Sequence, residues 1–345
     1  MKTIIIMNKL SKLLDDEETI DLSLSYSRVS DFDRNGPRAL LQKITSENEG
    51  MKHGSVVDIL LTDKILNTNL FDKEYVIYDE NKPTATLGIL CDIILNNYLE
   101  VPSKDVVFEI IAKNNFWSRT KNTELLSQEF DKPEFWEYLK IKFKTKDKKI
   151  VTKEEYSKAK ESVDIFLNHE YTERIFNNNL ENHYQYKIKF KYKNFTFKGI
   201  LDKLTIDHTN KKVYMEDIKT GAPKSLEFMD SFIKYRYYLQ ECVYSLAFEY
   251  ICKEMNLIGY TLMPFKFIYL SRTENFPLVY QVSEKWHNAA LNGFMMAGKY
   301  RYRGLNQLLD DIYYHWKNKE YELPKDIVEQ NGYLILKDDF IEVNE

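Results

Sequence analysis

The feature that most restricts how this chain can fold is a change of hydrophobic period at Tyr184. From there Tyr186, Ile188, Phe190 and Tyr192 alternate with Gln185, Lys187, Lys189, Lys191 and Lys193. Successive side chains of a strand point to opposite faces, so a period of two describes a half-buried strand. Lys193-Asn194 then supplies a turn and Phe195-Thr196-Phe197 opens a neighbouring strand, which makes the segment a β-hairpin. The pattern predicts a third strand over 213–219, after a turn at Asp207-His208-Thr209-Asn210, and another over 264–270.

Around these strands the period is 3.6. Ser27 is a candidate N-cap, and Asn35-Gly36-Pro37 breaks the chain before Arg38-Ala39-Leu40-Leu41, which predicts a short helix pair. Helices are expected over 50–61 and over 154–177, the latter with Val163, Phe166, Leu167 and Tyr171 at helical spacing. A long amphipathic helix is expected over 225–255, and helices return over 284–317. Clustered strands flanked by helices indicate an α/β (α+β) core. The expected organisation is a mainly helical part over 1–183, a core over 184–283 and a helical addition over 284–345, together one compact domain.

The 345 residues suit one large or two ordinary domains, and 43% hydrophobic and 14% aromatic content with 11 Gly and 8 Pro excludes a disordered or collagenous chain. Cys91, Cys242 and Cys252 match no disulfide framework, no C-x-x-C zinc site and no four-thiolate cluster, so a reducing, cytoplasmic setting and no iron–sulfur cluster are expected. No run of 18 apolar residues marks a membrane span, and the apolar stretch within residues 1–7 is too short for a signal sequence. The net charge of 49 − 53 = −4 leaves any attraction to nucleic acid to local patches.

The chemistry concentrates in Gly199-Ile200-Leu201-Asp202 and Asp217-Ile218-Lys219-Thr220-Gly221. Asp217 and Lys219 share one face of their strand, and Asp202, ending the neighbouring strand, can bring a second carboxylate beside Asp217. Two such carboxylates repel unless a cation lies between them, and hard oxygen ligands suit Mg²⁺ or Mn²⁺. By itself D-x-K also describes an ordinary surface ion pair. Context adds Arg236, Gln240 and Tyr244, spaced by four as a polar helical stripe able to donate to phosphate oxygens. Lys187, Lys189, Lys191 and Lys193 share a strand face and are candidate phosphate contacts. The lysine run at 140, 142, 144, 146, 148, 149 and 153 either grips phosphates or solvates a loop. His53 reads first as a helix-start or core histidine and second as an acid or base.

G-x-x-D, then D-x-K-T-G, then Gln240-x-x-x-Tyr244 resembles the PD-(D/E)XK nuclease superfamily, in particular its RecB-like and RecE-like phage exonuclease branch. Leu24-Ser25-Tyr26-Ser27 resembles the opening helix motif of that branch, and His53-Gly54-Ser55-Val56-Val57-Asp58 its G-x-x-x-H helix. The resemblance spans roughly 24–250 and implies a restriction-endonuclease-like central mixed sheet flanked by helices. It implies a metal-dependent deoxyribonuclease, an exonuclease acting on double-stranded DNA ends in recombination or replication. Asp58, Asp202, Asp217 and the Ile218 carbonyl would hold Mg²⁺ or Mn²⁺, and Lys219 would position the attacking water. Arg236, Gln240 and Tyr244 would hold the DNA strand. DNA is the implied partner; a single-strand annealing protein and a homo-oligomer are compatible with it, and no membrane is involved. Asp58 stands where the family usually has His or Glu, and the acidic residue that often precedes the hairpin corresponds to Gln185 or to Glu181. The rival reading is a non-cleaving DNA-binding or recombination-scaffold protein on a nuclease fold.

Overall fold

The structure is a computed structural model that describes residues 22–41, 49–79, 82–114, 116, 130, 133–296 and 300–332. The expectation for residues 1–7 lies outside them. The chain divides into two units, Met1–Met51 with Ile165–Glu345, and Lys52–Asp164.

The first unit opens with β1 (Ser23–Leu24) and helix α1 (Tyr26–Asn35). The sheet continues with β2 (Glu181–Tyr192), β3 (Phe195–Asp207) and β4 (Lys212–Gly221). Three helices follow, α2 (Phe228–Lys234), α3 (Tyr237–Leu246) and α4 (Phe248–Glu254). Strands β5 (Thr261–Leu262), β6 (Lys266–Ser271) and β7 (Pro277–Gln281) come next, then helix α5 (Glu284–Asn292). A small hairpin of β8 (Phe294–Met296) and β9 (Tyr300–Tyr302) leads into helix α6 (Leu305–Asn318).

Seven strands form one mixed sheet in the order β1-β3-β4-β6-β7, with β2 on β3 and β5 on β4. β3 runs antiparallel to β2 and β4, β4 runs parallel to β5 and β6, and β1 is parallel to β3 at Thr196 and Phe197. Apolar residues of the helices close on it: Val29 and Phe32 of α1, Phe228 and Phe232 of α2, Leu239 and Val243 of α3, and Leu308 and Ile312 of α6. They meet Leu204, Ile206, Val213, Met215 and Phe267 of the sheet in one core. This is the mixed α/β architecture expected from the sequence, a central mixed sheet flanked by helices.

Several local expectations change. The N-cap is Ser25 rather than Ser27, because the chain leaves β1 still extended at Ser25, whose hydroxyl takes the Arg28 amide at 3.3 Å. The helix over 225–255 is three helices: Arg236 adopts a left-handed conformation (φ 61°) with its Nε on Asp33 at 2.6 Å, and this separates α2 from α3. The helix over 154–177 ends at Asn168, where the Thr172 hydroxyl folds back onto the Phe166 carbonyl at 2.8 Å, and a short helix Glu173–Phe176 follows. Gly293 (φ 90°) interrupts the segment 284–317 and admits the β8–β9 hairpin.

The second unit holds helices Glu49–Leu66, Ala85–Asn97, Lys104–Lys113 and Pro133–Lys144, with a parallel strand pair Tyr75–Tyr78 and Lys149–Thr152. Leu90, Ile94, Val107, Phe130 and Leu139 lie in its core. No helix among the described residues is long and apolar enough to cross a membrane.

Candidate active site

The site forms where the sheet forks. β3 and β4 pair from Asp207–Lys212 up to Lys203–Glu216, and β4 then pairs with β6 from Glu216 to Gly221. Asp202 and Asp217 stand one step past the last β3–β4 pair, so their side chains share a face where the strands begin to part. In place of the next rung, Asp202 Oδ2 takes the main-chain amide of Ile218 at 2.8 Å. Asp217 is fully enclosed, at 1% exposure. Its Oδ1 accepts from Gln240 Nε2 of α3 at 2.6 Å, and its Oδ2 is ion-paired with Lys219 Nζ from the same strand face.

The electrostatics follow from burial. Burial pushes the Asp217 carboxyl up to about 7, Asp202 adds to the shift, and Lys219 opposes it. Asp202 is raised for the same reason, against Lys219 and the Ile218 amide. Burial works against the Lys219 ammonium, but Asp217, Tyr237 and Asp202 outweigh it and hold its pKa well above the ordinary lysine value. Lys219 is therefore a firm cation, and the two carboxyls beside it resist full ionisation on their own; once both are ionised they carry one negative charge more than Lys219 balances.

A hard divalent cation fits this surplus. Gln240 Oε1 is buried without a hydrogen-bond donor, and Asp217 Oδ2, equally buried, has the Lys219 ammonium as its ion-pair partner. Oxygen donors of this kind suit Mg²⁺. Among the described residues no group of three or more His, Cys, Asp or Glu gathers to hold a metal, so a cation here would draw further ligands from carbonyl, amide or water oxygens. Asp58 lies in the second unit on the helix Glu49–Leu66, where its carbonyl receives the Thr62 hydroxyl at 2.7 Å.

Gln240 and Tyr244 do lie one turn apart on α3, and both serve the site's own framework. Gln240 holds Asp217, and the Tyr244 hydroxyl donates to the Ile200 carbonyl at 2.9 Å, on the stretch of β3 between its pairings with β1 and β4. Gly199 makes room for that ring, since a Cβ there would lie 2.8 Å from Tyr244 Cε1. Arg236 is not part of the stripe. It precedes α3, binds Asp33 through Nε and the Ile233 carbonyl through Nη1, and is a tie between α1 and α3.

Of Gln185 and Glu181, Gln185 is the one beside Asp202. It lies in β2 opposite Asp202, in left-handed conformation (φ 51°), with Nε2 at 3.4 Å from Asp202 Oδ1. Glu181 instead pairs with His183 and His208, each at 2.6 Å. Lys187, Lys189 and Lys191 form one exposed face of the hairpin. Lys193, expected on the same face, instead lies in the turn in left-handed conformation and pairs with Asp310 at 3.4 Å, while the pairing Lys189–Lys198 brings a fourth exposed lysine to the face, as the turn at Lys193-Asn194 implies.

No protein-family model and no curated protein matches the chain. Among solved structures it is similar to the crystal structure of a "Putative exonuclease" from Eubacterium rectale, at 13% identity over 92% of this chain and 90% of that chain, with a TM-score of 0.43. At that distance the likeness says nothing of chemistry, which rests on the side chains.

Proposed function

We propose that this chain is a divalent-metal-dependent deoxyribonuclease that works as an exonuclease on ends of double-stranded DNA. The observation that carries the reading is the enclosed Asp217 beside the half-buried Asp202, with Lys219 ion-paired to one oxygen of Asp217 and Gln240 bonded to the other. The order of the motifs along the chain supports the choice of nuclease, and their resemblance to the phage exonuclease branch supports the action at ends.

Asp202 and Asp217 would hold Mg²⁺ or Mn²⁺, with the Ile218 carbonyl as a proposed further ligand; such a cation would supply charge neutralisation at the phosphate and a water of lowered pKa. Lys219 stays protonated, so it acts as a donor: it orients the attacking water and stabilises negative charge developing at phosphorus. Gln240 keeps Asp217 from rotating, and the Ile218 amide does the same for Asp202. The hairpin lysines 187, 189, 191 and 198 offer the phosphate backbone a positive face that the net charge of −4 conceals.

The test uses end-labelled linear duplex and closed circular DNA with Mg²⁺ or with EDTA. Release of labelled nucleotide from linear DNA alone, abolished by EDTA, is the expected result. Metal-independent binding without cleavage would identify a scaffold instead.

A further inference from the structure

Among the tyrosines that pack in or against the aromatic group beside Lys219, Tyr26, Tyr244, Tyr269 and Tyr280 have a committed hydroxyl. Tyr26 donates to the Tyr235 carbonyl at 2.6 Å, Tyr244 to Ile200 at 2.9 Å and Tyr269 to Pro223 at 2.7 Å, while Tyr280 donates to Ser225. A tyrosine hydroxyl in a packed setting ordinarily finds such a partner. That of Tyr237 finds none among the described residues.

The Tyr237 ring is fully accounted for. It stacks on Phe228 (5.9 Å, 19°) and Phe267 (5.7 Å, 26°), leans on Tyr235 (5.7 Å), and carries Lys219 Nζ 5.0 Å over its face. Phenylalanine would meet each of these contacts equally well. The hydroxyl is therefore surplus to packing; the residue is half-buried, and its oxygen is not one of the fully enclosed side-chain atoms left without a partner, so it keeps some access to a ligand. The surroundings of that oxygen are electrically specific: burial raises its pKa, the Lys219 ammonium lowers it, Asp217 raises it, and Arg34 adds a second, weaker positive influence.

Its position is also clamped. The hydroxyls of Tyr26 and Ser30, one turn apart on α1, both reach the Tyr235 carbonyl (2.6 and 3.2 Å), and Arg236 binds Asp33 of the same helix. Tyr237 is the first residue of α3 after that anchored break. A neutral donor without an acceptor, fixed beside a cation and a carboxylate pair, matches one ligand chemistry, an anionic phosphate oxygen. We propose that Tyr237 contacts the substrate, its hydroxyl donating to a non-bridging oxygen of the scissile phosphodiester next to the Lys219 ammonium. This rests on the nuclease reading above.

Tyr237→Phe removes the donor and keeps the ring under Lys219. Wild type and variant are compared for kcat and KM on labelled linear duplex at saturating Mg²⁺, for melting temperature, and for duplex affinity in Ca²⁺. The expected result is a fall in kcat of roughly 100-fold, the scale of losing one charge-stabilising donor, with melting temperature and Ca²⁺-state affinity unchanged. Wild-type kcat and KM in the variant would overturn the proposal while leaving the nuclease reading intact. A slower variant whose melting temperature also drops would overturn it too, by assigning the hydroxyl to the fold. A wild-type protein that cleaves nothing overturns the nuclease reading itself, and this proposal with it.

Discussion

At the scale of single residues, the site is defined by charge that the protein does not neutralise by itself. Asp217→Asn removes one anionic ligand at constant shape, so cleavage should fall below detection and Mg²⁺ should no longer raise the melting temperature, with the metal-free protein folded as before by circular dichroism. Retained cleavage would remove Asp217 from the reaction. Gly199→Ala tests the fork from the other side: with Tyr244 Cε1 at 2.8 Å, the ring must shift and its bond to Ile200 must suffer. A loss of about 1–3 kcal/mol by chemical denaturation is expected. The sequence makes Asp202, Asp217 and Lys219 legible as neighbours, because strand parity and the span from one carboxylate to the next bring them together; Gln240 is marked by its helical spacing but as a contact to DNA, and its bond to Asp217 is legible only in the fold. Tyr237 is not legible: nothing in Lys234-Tyr235-Arg236-Tyr237 marks a helix break, and without the break its ring has no assigned neighbour.

At the scale of elements, what holds β3 against β4 one residue before the carboxylate pair is a buried ionic rung. Lys203 Nζ meets Glu216 Oε2 at 2.8 Å, at 0% and 4% residue exposure, and also bonds the Thr205 hydroxyl. The pair lies across the register from which Asp202 and Asp217 emerge, so it sets their alignment. Lys203→Met leaves a buried carboxylate with the Thr205 hydroxyl at 3.4 Å and Lys266 at 3.8 Å, and a loss of about 3–5 kcal/mol in denaturant unfolding is expected, largely restored by a second change of Glu216→Leu. A second link, from His287 of α5 to the enclosed Glu241 of α3 at 2.9 Å, is pH-sensitive. The hydrogen bond to Glu241 raises the His287 pKa above 6.5 against the effect of burial. A raised histidine stabilises fully below the unfolded value and loses that contribution as pH rises through the folded one. The melting temperature should thus decline as pH climbs past 6.5, and His287→Gln should flatten that decline. The sheet was readable because alternation, turn residues and charged faces agree within β2, β3 and β4. The divided helices were not, since Arg236 and Thr172 interrupt them through distant partners or fold-back bonds rather than through glycine or proline.

At the scale of the whole molecule, function depends on a local departure from the average charge. Four exposed lysines on the β2–β3 hairpin occupy one face of a chain whose net charge is −4. Changing Lys187, Lys189, Lys191 and Lys198 together to Gln should weaken DNA binding for every sequence alike and reduce the salt slope by up to roughly three to four units, one phosphate contact being worth about 0.9. An unchanged slope in a salt series would place the DNA elsewhere. The pairing of β1 with β3 has a separate consequence, for the order in which the protein comes into being. Leu24 pairs with Phe197, 197 − 24 = 173 residues later. A ribosome adding about 5–20 residues per second emits the first strand roughly 10–30 seconds before its partner exists. Throughout that interval the opening segment waits with its apolar side chains unshielded, while the contiguous unit Lys52–Asp164 has all of its own chain at hand. Pausing the ribosome before Phe195 should leave residues 22–41 open to protease and to chaperones, and the same residues should become resistant once the hairpin has emerged.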